Sequence, residues 1–485
     1  MNKAQLFAKR TKIIATLGPA SNTPTTVKAL IQAGVDIFRI NASHCVSPEP
    51  IRDMVKLVRD VADKMDRPVG IFLDLQGPKI RIGEFKEEQV KVKTGQMFTI
   101  TAEKILGDAT CVSASYPGFV HDVQVGDPLY INDGKIRMRV DAKDKRTVTC
   151  KVLQGGVLSN RKGVNLPITQ ISLSPVTEKD YADAKVAVEA GVDYIALSFV
   201  SNPEDIDLLR NYLDSLGGQA IKIISKIERQ LAVDHVIPII EKSDAVMVAR
   251  GDLGVEIGVQ NVPRIQKLII RESNRLIKPV IVATQMLESM ITSSSATRAE
   301  VSDVANAIYD RCDAVMLSGE TAVGINPVEV VRTMREICMA ADSDMIHQKQ
   351  EEGVKISFAH PSQATSICKA ADQIAEENHA TAIMAFTSSG NTPLIASKLN
   401  SSFPIISPTD DALVCKRMSL YRGVIPLMLP RKFNDIHRWT EMIQVALEQA
   451  KVTGLVKAKD VLVVTAGIPI GISNGINSIR VVTVE

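Results

Sequence analysis

Eight short apolar runs, rich in β-branched residues, recur up to residue 320. They are "KIIATLG" from 12, "DIFRINAS" from 36, "VGIFLDLQG" from 69, "DYIALSFV" from 193, "KIISKIE" from 222, "AVMVARGDL" from 245, "PVIVATQM" from 279 and "AVMLSGE" from 314. Each ends on polar or glycine residues, and segments of helical spacing such as 48–66, 203–216, 262–277 and 298–311 lie between them. Runs that stay apolar, rather than alternating, predict strands covered on both faces, with the helices as crossovers of parallel βαβ units. The echoes "AGVDIFRI"/"AGVDYIALSF" and "SDAVMVARGD"/"CDAVMLSGE" fit one repeated unit. Eight such units predict an α/β protein built on a (β/α)8 barrel of the TIM type.

The spacing breaks once, between the third run and the fourth. There "QVKVKTGQMFTIT", "KIRMRVDA" and "RTVTCKV" alternate, with the turn signal "NDGK" between two of them. This predicts an all-β domain over 77–174, inserted at the C-terminal ends of barrel strands and placed to act as a lid over 1–76 and 175–345. After the helical "PVEVVRTMREICMAADSD" the polar "MIHQKQEEGVKISFAHPSQ" reads as a linker. The runs "TAIMAFT", "FPIIS", "VIPLML", "DVLVVTAG" and "IRVVTV", alternating with helices, then predict an open α/β domain over 346–485.

Composition narrows the function. With 57 basic against 55 acidic residues the net charge is +2, which argues against nucleic-acid or anionic-membrane partners and leaves phosphate chemistry to local charge. No apolar run approaches the roughly 20 residues that span a bilayer, and "MNKAQLFAKR" lacks a signal-peptide core, so a cytoplasmic location is expected. The seven cysteines are scattered without a Cys-x-x-Cys pair and read as small buried residues.

Polar residues cluster where the barrel strands end: Arg39, Asn41, Ser43 and His44; Asp74; Lys226 and Glu228; Arg250, Gly251 and Asp252; Thr284 and Gln285; Ser318 and Glu320. Lys226 and Glu228, two apart, share a strand face. One such pair could be a structural ion pair, whereas a ring of them points to a site. Glu228 and Asp252 offer two hard oxygen ligands, the usual protein share of a magnesium site. Arg39 offers a phosphate fork, Lys226 a compact charge, and the "ARGDLG" turn backbone N–H groups for a carboxylate. Phosphoryl transfer or enolate stabilisation follows. The stretch "TSSGNTP", with Thr387, Ser388, Ser389, Gly390, Asn391 and Thr392, ends a strand and opens a helix, an arrangement suited to phosphate and equally common in α/β domains without a ligand.

The motifs "TKIIATLGPAS", "FRINASH", "LDLQGPKIRIG", "KGVNLP", "IISKIE", "VARGDLGVEI", "VATQMLESM", "TRAEVSDVANAIYDRCDAVMLSGET" and "YRGVIP" resemble the pyruvate kinase family, in order and over nearly the whole chain. The resemblance implies transfer of a phosphoryl group from phosphoenolpyruvate to ADP, giving pyruvate and ATP, with Mg²⁺ or Mn²⁺, in a homotetramer whose third domain often carries an effector site. It implies Glu228 and Asp252 as metal ligands, Lys226 as the charge at the moving phosphoryl group, and Arg39 as a phosphate contact. Gly251, Asp252 and Thr284 resemble a carboxylate clamp. Arg81 and Lys162, with Asn41 and His44, resemble nucleotide contacts, though His44 reads equally as a cap. Ser318 and Glu320 line the family's site, and water near Thr284 and Ser318 is the usual proton source.

Three motifs depart from the family's common pattern. Lys79 replaces the Glu of potassium-dependent members, and Leu75, Gln76 and Ile82 match the potassium-independent subgroup, so Lys79 is expected to replace K⁺ beside Asn41, Ser43, Asp74 and Leu75. Ala42 and Cys45 stand where Phe and Gly are usual, and Val323 and Asn326 where Lys and Tyr are common. The 387–392 loop lacks the basic residue of some relatives that bind sugar phosphates there; a sugar phosphate or nucleotide is its expected effector. Two alternatives stay open: an aldolase- or mutase-like barrel enzyme, which needs no ADP, and an inactive metabolite sensor.

Overall fold

The computed structural model describes residues 3–45, 47–352, 357–436, 438–468 and 475–485. The three strands β1 (Lys12–Thr16), β2 (Ile37–Asn41) and β3 (Gly70–Asp74) open the barrel. Between β3 and the next barrel strand lie β4 (Gln89–Val92), β5 (Met97–Thr101), β6 (Cys111–Ser113), β7 (Pro128–Ile131), β8 (Ile136–Lys143), β9 (Thr147–Gln154), β10 (Gly156–Ser159) and β11 (Val164–Asn165). The barrel resumes with β12 (Tyr194–Leu197), β13 (Lys222–Ile227), β14 (Ala245–Ala249), β15 (Val280–Ala283) and β16 (Ala314–Leu317). These eight strands close in the order β1-β16-β15-β14-β13-β12-β3-β2, every pair parallel. Strands β1, β3, β12, β14, β15 and β16 are buried at every position, because core side chains cover one face and helices the other.

The inserted strands form a six-stranded sheet, β11-β7-β8-β9-β5-β6, and the pair β10-β4. In β8 buried and exposed positions alternate up to Asp141, as expected for strands with one face to a small core. The turn "NDGK" joins β7 to β8, with positive φ at Asn132, Asp133 and Gly134. At the exit from the barrel, Gly77 has φ +68 and a side chain there would collide with Phe199. Its N–H donates to buried Asp180, which also closes the capping box of the helix Glu178–Ala190 with Thr177.

Three expectations change. The helix from Pro327 runs to Glu352, through part of the segment read as a linker, because nothing in "MIHQKQEE" breaks a helix before Gly353. The helix Lys3–Ala8, expected with the barrel, packs Leu6 and Phe7 on the core of the C-terminal sheet, and Lys3 pairs with Asp460 at 3.2 Å. That sheet comprises β17 (Ala382–Ala385), β18 (Ile405–Thr409), β19 (Val424–Met428), β20 (Val461–Ala466) and β21 (Ser478–Thr483). Its order is β19-β18-β17-β20-β21, with β21 antiparallel to β20 rather than reached by a crossover. The barrel floor rests on this unit; Tyr194 Oη, for example, donates to Arg417 O at 2.8 Å. Among the described residues no helix is long and apolar enough to cross a membrane.

Candidate active site

The alternation that fills the barrel also builds its rim. Ile14, Ile37, Phe72, Ala196 and Ile224 belong to the interior core, distinct from the larger core shared with the helices. Side chains two apart on a strand share a face, so Thr16, Arg39, Asp74, Ser198 and Lys226 stand directly above them at the C-terminal mouth. The mouth is therefore polar where the interior is apolar.

Arg39 Nε donates to Asp74 Oδ2 at 2.8 Å and Nη1 to Thr16 Oγ1 at 3.2 Å. Lys226 Nζ donates to Ser198 Oγ at 2.7 Å and lies 3.3 Å from Asp74 Oδ1 and 3.4 Å from Glu228 Oε2. Burial works against the Lys226 ammonium, but Asp74 and Glu228 outweigh it and hold its pKa above the usual lysine value. Asp74 is likewise held below the carboxylate range, with burial opposed by Lys226 and Arg39. Glu228 is 1% exposed; Oε1 accepts the Phe199 N–H at 2.7 Å, whereas Oε2 has no hydrogen bond among the described residues. Burial pushes the Glu228 pKa up to about 7, Lys226 opposing and Asp252 adding to the rise.

The loop after β14 turns at once into the helix Arg250–Ile257, which carries Asp252 in its first turn. Gly251 N–H donates to Thr284 Oγ1 at 2.8 Å, so two members of the expected carboxylate clamp meet directly. Thr284 and Gln285 both have positive φ, 69° and 56°, a conformation that costs energy for residues with side chains. Buried Arg250 holds this turn: Nη2 donates to Thr284 O at 2.6 Å and Nε to Ala283 O at 3.3 Å, while Nη1 pairs with Asp303 at 2.8 Å. Glu320, fully buried, accepts the N–H groups of Ser318 and Leu287, and Ser318 Oγ is buried without a partner among the described residues.

Other expected residues sit less centrally. Lys79 Nζ lies 3.6 Å from Asp252 Oδ1, and its Cε is packed beside Gly163 of the inserted domain. Asn41 Oδ1 accepts the Ser43 N–H, which makes it a local cap, and Ser43 and His44 are exposed in the turn Ala42–His44. That turn is anchored by Lys179 Nζ on Ala42 O at 3.0 Å, with Ala42 and Cys45 buried. Leu75 buries its side chain and offers only its carbonyl, which accepts from Ser198 Oγ. Arg81 is exposed, with Nη1 on Arg161 O at 3.0 Å, and Lys162 is half-buried beside it. Of the positions that depart from the pattern, Val323 is exposed and Asn326 accepts the Glu329 N–H at the start of its helix. In the 387–392 loop, Thr387 Oγ1 accepts the N–H groups of Ser389 and Gly390, so part of the nest is closed internally.

The geometry adds Thr16, Ser198 and Phe199, and gives Arg250 a role. Ser198 could have been found from its parity in "DYIALSFV", two after Ala196; nothing in the sequence signals the Phe199 N–H. Among the described residues no group of three or more His, Cys, Asp or Glu side chains forms a metal cage. A buried oxygen of Glu228 without a hydrogen bond, with Asp252 adding negative charge nearby, nevertheless fits a hard divalent cation that takes its remaining ligands from substrate and water.

Residues 8–331 match the family model described as the pyruvate kinase barrel domain, and 365–482 that of the pyruvate kinase alpha/beta domain. The chain belongs to the pyruvate kinase family. It is 40% identical over 481 residues to pyruvate kinase 2 of Synechocystis, covering 98% of this chain and 80% of the relative. It is also 40% identical to the pyruvate kinase of Clostridium acetobutylicum, covering 98% of this chain and 100% of that one. The crystal structure of a pyruvate kinase from Cryptosporidium parvum superposes with a TM-score of 0.91 at 34% identity, over 100% of this chain and 98% of the other. Pyruvate kinase function, a phosphotransferase activity that depends on a divalent metal, follows from that membership.

Proposed function

We propose that the barrel mouth transfers the phosphoryl group of phosphoenolpyruvate to ADP through Lys226, Arg39, Glu228, Asp252 and Thr284, and that Mg²⁺ or Mn²⁺ is held by Glu228 and Asp252. The observation that carries this reading is the Lys226 ammonium, held between the buried carboxylates of Asp74 and Glu228, with one Glu228 oxygen lacking a hydrogen bond among the described residues. Held by Glu228 and Asp252, a divalent cation would supply the positive charge that offsets the phosphoryl oxygens. The bond from phosphorus to the enol oxygen breaks, and a new one forms to a terminal phosphate oxygen of ADP. Lys226 and Arg39 stabilise charge on the moving group and the departing enolate. The Gly251 and Asp252 N–H groups and the Thr284 hydroxyl orient the substrate carboxylate. Water near Thr284 and the unpartnered Ser318 hydroxyl delivers the proton that completes pyruvate.

In this reading the inserted domain is a lid that brings Arg81 and Lys162 to the nucleotide phosphates, with Asn41 and His44 at the edge. Lys79 supplies the positive charge that K⁺ supplies in other members. The family resemblance further supports a homotetramer, with the loop 387–392 taking a phosphorylated effector. The test is formation of ATP from phosphoenolpyruvate and ADP with Mg²⁺ in a coupled assay, with and without K⁺. ATP formation without K⁺ is expected; consumption of phosphoenolpyruvate that ignores ADP would instead favour an aldolase- or mutase-like enzyme, and no turnover a sensor.

A further inference from the structure

Arg10, 6% exposed, precedes β1 at the seam between the barrel floor and the C-terminal sheet. Its guanidinium has one partner: Nη2 donates to Ser402 O at 3.0 Å, while Nε and Nη1 meet no acceptor among the described residues. Buried charged donors left unsatisfied are costly, so an acceptor is called for. The carboxylates of the seam are engaged elsewhere. Asp342 accepts the N–H groups of Arg10 and Thr11 and the Thr11 hydroxyl, and pairs with Arg422 at 2.7 Å. Asp313 pairs with buried Lys398 and accepts the Val280 N–H.

Arg422, 7% exposed, brings a second guanidinium to the same place. The two arginines line a cavity of about 10 Å³ with Ser397, Asn400, Ser401 and Gly423, room for one particle near the size of a water molecule. Gly423 has φ +70, a backbone conformation that favours glycine, and a Cβ there would meet Arg10 Cδ at ordinary contact distance. A second cavity of about 30 Å³ shares Ser397, Asn400 and Arg422 and adds Lys398. Burial lowers the Arg10 pKa to about 10, Asp342 opposing and Arg422 adding, yet it remains charged at neutral pH. A water molecule would satisfy its donors but leave the Arg10 charge without a counterion of its own in a low dielectric, since Asp342 already pairs with Arg422.

We propose that the seam binds one small monovalent anion of the halide class between Arg10 and Arg422, joining the barrel floor to the C-terminal sheet. The small volume favours a single spherical ion over a larger oxyanion. The measurement is the thermal midpoint of the full chain at fixed ionic strength in sodium chloride, bromide or gluconate, together with anomalous scattering from a bromide-soaked crystal. Chloride and bromide should raise the midpoint over gluconate by roughly 2–4 °C, saturably, and bromide should give an anomalous peak beside Arg10. Arg10→Gln should abolish the halide response. Equal midpoints in all three salts, a full response retained by Arg10→Gln, or no bromide in the cavity would each overturn the assignment. If Arg10→Gln does not fold, the wild-type crystal decides.

Discussion

Asp74 Oδ1 lies 3.3 Å from Lys226 Nζ across the intervening strand β12, while Asp74 Oδ2 accepts Arg39 Nε at 2.8 Å. One buried carboxylate thus holds both cations that the proposed reaction sets against a phosphoryl group. It fixes their positions before substrate arrives, the preorganisation on which electrostatic catalysis depends. Lys226→Met should lower kcat by roughly two to four decades while KM for phosphoenolpyruvate changes far less. The melting temperature should also fall without Mg²⁺, because Glu228 loses the one ammonium beside it, and Mg²⁺ should restore more of it than in wild type. Retained turnover with a lowered melting temperature would leave Lys226 a structural partner only.

The two expected metal ligands differ in burial, with side-chain exposures of 1% at Glu228 and 33% at Asp252. Glu228→Gln and Asp252→Asn should both lose several orders of magnitude in turnover and the melting-temperature rise caused by Mg²⁺. Glu228→Gln alone should stabilise the metal-free protein, since it removes a buried charge, while the more exposed Asp252→Asn should leave it nearly unchanged. Near-wild-type rates at saturating Mg²⁺ in either variant would remove that residue from the site.

The barrel was legible because its signal is local and repeated: each run is short and continuously apolar, and the parity that buries Ile224 raises Lys226 to the rim. The eight strand ends likewise brought Arg39, Asp74, Glu228 and Thr284 to one mouth. What parity cannot carry is a partner chosen through the main chain or across strands. The Phe199 N–H on Glu228, the Arg250 clamp on the positive-φ Thr284, and Asp74 shared by Arg39 and Lys226 depend on backbone direction and on the barrel's closure. The end of the helix Pro327–Glu352 escaped for the opposite reason. A polar composition reads as linker, but polarity does not break a helix.

Lys12, at the start of β1, is 5% exposed and donates to Val424 O at 2.6 Å. Burial lowers its pKa to about 8, with Asp36 opposing and Lys9, Arg67 and Arg10 adding to the fall. The unfolded chain binds this proton up to about pH 10.5 and the native chain only up to about pH 8. Between these values the unfolded state holds more protons, so raising the pH stabilises the fold. Relative to Lys12→Met, the wild type should therefore gain stability from pH 8 towards 10.5, with a slope approaching about 1.4 kcal/mol per pH unit, and the difference should be flat below pH 8. Denaturant titrations of both proteins across this range measure it. A constant difference would mean that Lys12 stays charged and compensated in the native state.

Lys79 joins three parts of the site: it leaves the barrel towards the inserted domain, packs on Gly163, and sets its ammonium 3.6 Å from Asp252 Oδ1. A tethered ammonium and a bound K⁺ carry the same charge, but the lysine need not be captured from solution. Wild-type turnover should thus be nearly equal in Na⁺, K⁺ or a bulky organic cation at fixed ionic strength. Lys79→Glu replaces that cation with a carboxylate beside Asp252, which separates two effects. Divalent binding should strengthen, because a second anion now faces the expected metal ligand, while turnover should fall because the monovalent charge is lost. K⁺ should recover part of that turnover and Na⁺ less, with further recovery if Leu75 and Gln76 are also exchanged, since neighbouring groups rarely act additively. Mg²⁺ titrations followed by melting temperature report the first effect and coupled assays the second. A wild type that stays inactive until K⁺ is added, or a Lys79→Glu variant that K⁺ cannot help at any concentration, would show that this lysine does not replace the ion.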